Sequence, residues 1–307
     1  MIIAEVVRSG FVESVHHGSV AVLGGASRGD VTSPIFPRSA NKPLQTVGMV
    51  RAGLVPRDGA DLALISGSHF GEPNHVRRVR DILEAAGLEV GALRCPASLP
   101  LSEESRDDWL RQGGGPERWL MNCSGKHAGM LATCVANGWA LDTYLDPKHP
   151  LQVAITEAVA DLAGERIAAA GVDGCGAPVL ALSLTGLARA FQRLVDAAEG
   201  TPERRVADEM RAHPELVAGT GAADTVLMGA VPGLLAKGGA EGVVAAALPG
   251  RGAITIKIDD GGMRARTPVL LDELRRLGVE VPVLEELVLE ELVLGGGEPV
   301  GEVRSVR

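Results

Sequence analysis

Aromatic side chains are scarce in this 307-residue chain: four Phe, three Trp and one Tyr, 3% of the total. Base stacking needs such rings and phosphate binding needs a basic stripe, yet the net charge is −9 and the pI near 5.3. A nucleic-acid role is therefore not expected. The acidic balance also disfavours anionic membrane surfaces. Long apolar runs are missing too, because glycines and charges interrupt every stretch well short of the roughly 18 residues of a membrane span. Met1–Arg8 lacks the basic, apolar and small-residue succession of a secretion signal. A cytoplasmic protein is expected, with Cys95, Cys123, Cys134 and Cys175 as reduced thiols rather than a disulfide frame.

Apolar residues are plentiful at 46%, so Leu, Val and Ala must build the core. Short apolar runs at Ile2–Val7, Phe11–Val15 and Val20–Leu23, broken by Ser9-Gly10 and His17-Gly18, predict antiparallel strands. Leu234–Lys237, Gly242–Leu248 and Ala253–Ile258 read the same way. A short strand is expected at Asp61–Ile65. Helical spacing marks Glu72–Leu88, and helices are also expected at Glu103–Arg111, Lys126–Ala136, Leu151–Ala170, Leu187–Ala198, Pro202–Ala212 and Met263–Leu277. The expectation is an α/β chain forming a single domain over 1–307. Residues 1–30 and 231–280 would supply one antiparallel sheet, and 39–230 a helical layer and cap. The repetitive segment Leu284–Leu294 reads as an amphipathic terminal piece.

Chemistry is concentrated first in Pro37-Arg38-Ser39-Ala40-Asn41-Lys42-Pro43. A residue and its third successor share a helix face, and Pro43 suits a first helical turn. A buried lysine can lose its proton near neutrality and then activate a serine hydroxyl. The bland alternative is a surface helix start with a solvated lysine.

Three further clusters accompany this pair. Gly67-Ser68-His69-Phe70-Gly71-Glu72 places a serine before a helix, where it presents its hydroxyl to a cleft or merely caps the helix. Lys237-Gly238-Gly239-Ala240-Glu241-Gly242 sets a lysine before a glycine turn, and Lys257 is its rival. Asn122-Cys123-Ser124-Gly125-Lys126-His127 and Asp173-Gly174-Cys175-Gly176 carry two cysteines without C-x-x-C spacing. They can converge on a metal, with Lys126 as an unusual third ligand and Asp173 holding a bound water, or stand as two buried thiols.

Together these blocks resemble the Rhizobium-etli-type (class 3) L-asparaginases of the asparaginase II protein family, from about Glu5 to Arg264. The resemblance implies a fold similar to serine β-lactamases and glutaminases, usually as a homodimer, and hydrolysis of L-asparagine to L-aspartate and ammonia. It implies two Ser–Lys tandems, Ser39 with Lys42 and Ser68 with Lys237, and a Zn2+ site at Cys123, Lys126 and Cys175. Arg38, His69 and Asp173 are then expected to bind substrate. The chain is shorter than many members between Cys175 and Lys237, so whether Lys237 or Lys257 completes the second tandem stays open. Ser-His and Lys-Gly-Gly stand where β-lactamases have S-D-N and K-T-G, which argues against a β-lactam substrate. The rival readings are a serine peptidase or esterase on the same scaffold, or a zinc-stabilised binding module without activity.

Overall fold

Residues 1–279 and 292–306 are described by the computed structural model, beginning with the hairpin of β1 (Ile2–Arg8) and β2 (Phe11–Leu23). After a short β3 (Pro34–Ile35), a 3-10 turn at Arg38–Asn41 runs directly into α1 (Lys42–Arg51). Next come α2 (Gly59–Ile65), α3 (Pro73–Ala85), α4 (Glu103–Arg111), α5 (Ser124–Asn137) and α6 (Pro150–Ala163). The strands β4 (Ala169–Val172) and β5 (Pro178–Ser183) precede α7 (Leu184–Asp196), α8 (Pro202–Ala212), α9 (Pro214–Val217) and α10 (Ala223–Ala230). The chain returns as β6 (Leu235–Gly239), β7 (Val243–Leu248) and β8 (Gly252–Ile258). It continues with α11 (Arg266–Arg276), β9 (Leu292–Gly295) and β10 (Glu298–Ser305).

Both regions expected to supply strands do meet in one sheet. Its order among the described residues is β6-β7-β8-β2-β1-β10-β9, and every pairing is antiparallel. The join is β2 against β8, from Gly18 opposite Ile258 to Leu23 opposite Ala253. Strands β6 to β8 are buried almost throughout, as expected for strands covered on both faces. Helix α7 packs on β2, β7 and β8, and α11 packs on β8 and β10. Apolar residues of α7 recur every three or four positions (Leu184, Leu187, Phe191, Leu194), and Ser183 caps it by accepting from the Gly186 N–H.

Several expectations fail locally, each for a physical reason. Asp61–Ile65 is the body of α2, started by the Asp58 carboxylate accepting from the Asp61 N–H; a short run buried on all sides has no readable period. The helix expected over Leu151–Ala170 stops at Ala163, where Gly164 takes φ 63°, a left-handed C-cap that glycine adopts at little cost. The residues beyond it form β4, which with β5, also in the region read as helical, and β3, just before it, makes a second small sheet. His17-Gly18 is not a turn: β2 passes through it, and a side chain at Gly18 would strike Ile3 and the Lys257 carbonyl. β10, which pairs with β1, lies beyond the expected sheet segments. Leu284–Leu294 falls outside the described residues except for its last three, which belong to β9.

Phe191, wholly buried in α7, is one of few rings available to fill this core. Phe191→Ala is expected to cost about 3–5 kcal/mol in denaturant unfolding. Val55→Ala, at a residue 83% exposed, should stay within about 0.5 kcal/mol.

Candidate active site

The turn before α1 is tightly determined. The Lys42 N–H donates to the Ser39 carbonyl, the i to i+3 bond that stacks the two residues on one side of a 3-10 turn. Arg38 takes φ 52°, an uncommon conformation for a branched-free but bulky side chain. Its guanidinium is held by Asp173 at 2.7 Å and faces Glu241 at 3.8 Å. Gly239 of β6 packs flat against the turn, and a Cβ there would press on the Pro37 carbonyl and the Ala40 N–H.

Lys42 itself is 1% exposed. Its Nζ lies 2.5 Å from the Gly67 carbonyl and 2.9 Å from Ser68 Oγ. Among the described residues it makes no hydrogen bond to Ser39. The tandem expected between Ser39 and Lys42 is thus a backbone link, and the amine reaches the other serine. Ser68 is fixed in an extended strap: its N–H donates to Val217 O, the Phe70 N–H to Ala218 O, and the His69 N–H to Asn122 O.

That strap explains the placement of His69. Side chains alternate along extended chain, so Ser68 and Phe70 line the cleft while His69 points inward, wholly buried. Its Nδ1 accepts from the Gly71 N–H and its Nε2 is bonded to Ser124 Oγ at 2.9 Å. A substrate contact from His69 is not what this geometry offers. Asp173 likewise spends its carboxylate on Arg38 and the Gly174 N–H.

Lys237, 2% exposed, lines the same cleft as Ser39 and Ser68, a space of about 1040 Å³ that also touches Asn122, Asp224 and Arg266. Its Nζ donates to Asp224 Oδ2 at 3.3 Å and to Gly238 O at 2.7 Å. No bond to Ser68 forms, so the second expected tandem is a shared cleft and not a contact. The rival Lys257 does not line the cleft, and its amine is taken up by Glu241 O and by Ile258 O at 2.8 Å. Asp224 and Arg266 carry no sequence signal: one is an acid in a helix first turn, the other an arginine in the expected helix Met263–Leu277, outside every motif.

Cys123, Lys126 and Cys175 converge behind Lys42, all buried. Lys126 Nζ lies 3.3 Å from Cys175 Sγ. Cys123 beside it, helped by Lys126, draws Cys175 below the ordinary thiol range against the cost of burial; the same pairing, with burial, pushes Cys123 up. Burial would lower Lys126, but Cys175, Cys123 and Asp173 outweigh it and raise it. Burial pushes Lys42 below the ordinary lysine range, with Lys126 acting in the same sense and the two cysteines opposing. Burial also lowers Lys237, against the pull of Asp224.

Two sulfurs are preferred zinc donors, and the Lys126 amine would be an unusual third. His127 Nε2 lies beside Cys175, buried and without a hydrogen bond of ordinary geometry among the described residues. No group of three or more His, Cys, Asp or Glu could hold a metal among the described residues, so any such site depends on Lys126. Nor is any described helix long and apolar enough to cross a membrane.

Among solved structures the chain is similar to Mglu in its native form at 4.3 M NaCl, with 16% identity and a TM-score of 0.45, covering 86% of this chain and 61% of Mglu. It therefore spans about three-fifths of that structure's length. It is similar to EstCE1, a hydrolase with promiscuous acyltransferase activity, at 13% identity and TM-score 0.40, covering 84% and 88% of the two chains. A β-lactamase from Mycobacterium bovis shares 16% identity at TM-score 0.37 over 94% of each chain. At these scores the likenesses bear on no residue's role. No curated protein sequence matches significantly. The L-asparaginase II family model, however, matches residues 4–305, which spans both serines, both cleft lysines and the cysteine cluster: the chain belongs to the L-asparaginase II family.

Proposed function

We propose that this chain hydrolyses the side-chain amide of L-asparagine, giving L-aspartate and ammonia through a seryl ester. The observation that carries the reading is Lys42: an amine withdrawn from water, 2.9 Å from a serine oxygen at the edge of an open cleft. Membership in the L-asparaginase II family supports the same class of reaction. Neutral Lys42 has one lone pair, which can accept the Ser68 proton while an N–H donates to Gly67 O.

Ser39 attacks the amide carbon and its proton passes to Lys42, directly or through Ser68, which lines the same cleft. The Ser39 N–H, without a backbone acceptor among the described residues, is one donor for the oxyanion. The C–N bond then breaks, the nitrogen leaves as ammonia with a proton returned from Lys42, and water hydrolyses the β-aspartyl ester. A second reading makes Ser68 the attacking group, favoured by its direct contact with Lys42.

Zinc is also a proposal: Cys123, Lys126 and Cys175 would hold it, with Lys126 giving up its proton on binding. When bound, it would supply a fixed positive charge behind the base.

Ser39→Ala and Ser68→Ala separate the serines. The nucleophile's loss should cut kcat by several orders of magnitude, at least about 10³-fold, and abolish an aspartyl adduct seen by quenched mass spectrometry. Near-normal ammonia release from both folded variants rejects the mechanism. Lys42→Arg should be as damaging as loss of the nucleophile, because a guanidinium cannot give up its proton. Metal analysis of protein purified without added zinc should find a single equivalent that Cys175→Ala loses; metal-free active protein removes zinc from the proposal.

A further inference from the structure

The two cleft lysines share burial but not company. Lys42 meets a carbonyl and a hydroxyl. Lys237 meets a carboxylate: Asp224, buried in the first turn of α10, accepts from Lys237 Nζ at 3.3 Å and from the Gly238 N–H at 2.7 Å through the same Oδ2. A charged lysine has three hydrogens to place. One goes to Asp224 and one to Gly238 O. The third has no partner among the described residues, on a side chain that lines the cleft beside Ser39 and Ser68.

The charged groups facing Lys237 come from three packed elements. Lys42 on α1 and Arg266 on α11 both disfavour its proton, and Asp224 on α10 is the opposing charge. Removing Asp224 would leave a buried cation beside the Arg266 guanidinium with no counter-charge, a setting in which a lysine goes neutral.

We propose that Asp224 is a positioning residue that holds Lys237 charged, with its free N–H turned to the cleft, so that Lys42 serves as the base and Lys237 as a fixed cation for an anionic group of the substrate. The division of labour rests on the amidohydrolase reading; the ionic link between the two side chains does not.

The sign of the pH effect follows from the active form being protonated. Activity falls as pH rises through the Lys237 titration, and loss of Asp224 moves that fall to lower pH. Ammonia release from L-asparagine should show the alkaline limb displaced downward by about one pH unit or more in Asp224→Asn, with kcat/KM reduced about 10-fold at mildly alkaline pH. In a Lys237→Met background the same Asp224→Asn change should cost less than about 3-fold, because the residue acts through a side chain no longer present. An unmoved alkaline limb, or an equal loss in both backgrounds, overturns the proposal. Lysine 13Cε NMR reads the link without turnover. The resonance lost in Lys237→Met should stay in the charged range through neutral pH in the unmodified protein, and titrate lower in Asp224→Asn. A Lys237 already neutral at pH 7 would overturn the proposal even if Asp224→Asn failed to fold. Ammonia release that is absent from the unmodified protein would count against the function and leave the NMR result standing.

Discussion

An amine kept out of water is the constraint on which this site depends. In bulk solvent Lys42 would carry a proton at any physiological pH. Here α1, the strap after α2 and the cysteine cluster close around it. The strap is itself pinned by backbone bonds to Val217 and Ala218, and Ser66 Oγ donates to Thr46 Oγ on the next turn of α1. Those bonds matter because a buried amine left to move would rehydrate.

The cysteine cluster and Lys42 form one electrostatic unit. Cys123 and Cys175 favour the proton on Lys42 while Lys126 disfavours it. The same sulfurs hold the proton on Lys126. A cation among the sulfurs would change both balances at once, since a bound ion is the largest local charge in such a site. Arg38 adds a mechanical tie, reaching from the serine turn to Asp173, two residues before Cys175.

How much of this could be read from the chain depended on the range of the interaction. Ser39, Lys42 and Pro43 lie within one turn, so local spacing marks a helix start there, and the structure has a 3-10 turn running into α1. The sheet was legible because glycine-bounded apolar runs stood at both ends. What escaped was pairing at a distance: Lys42 with Ser68 across 26 positions and Lys237 with Asp224 across 13. The inward turn of His69 has a nearer cause. His69 sits between two cleft residues, and alternation in extended chain sends the middle one inward. Asp61–Ile65 reads as a strand in sequence because burial on all sides erases the period that tells helix from strand.

Strand β6 is the outermost described strand at its end of the large sheet, and such an edge ordinarily invites another chain to add on. Here the Gly238 N–H is taken by Asp224 and the Gly238 carbonyl accepts from Lys237 at 2.7 Å. The side chains that shape the cleft wall therefore also blunt a sticky margin. Mutations that loosen this wall would be felt in solubility as well as in turnover.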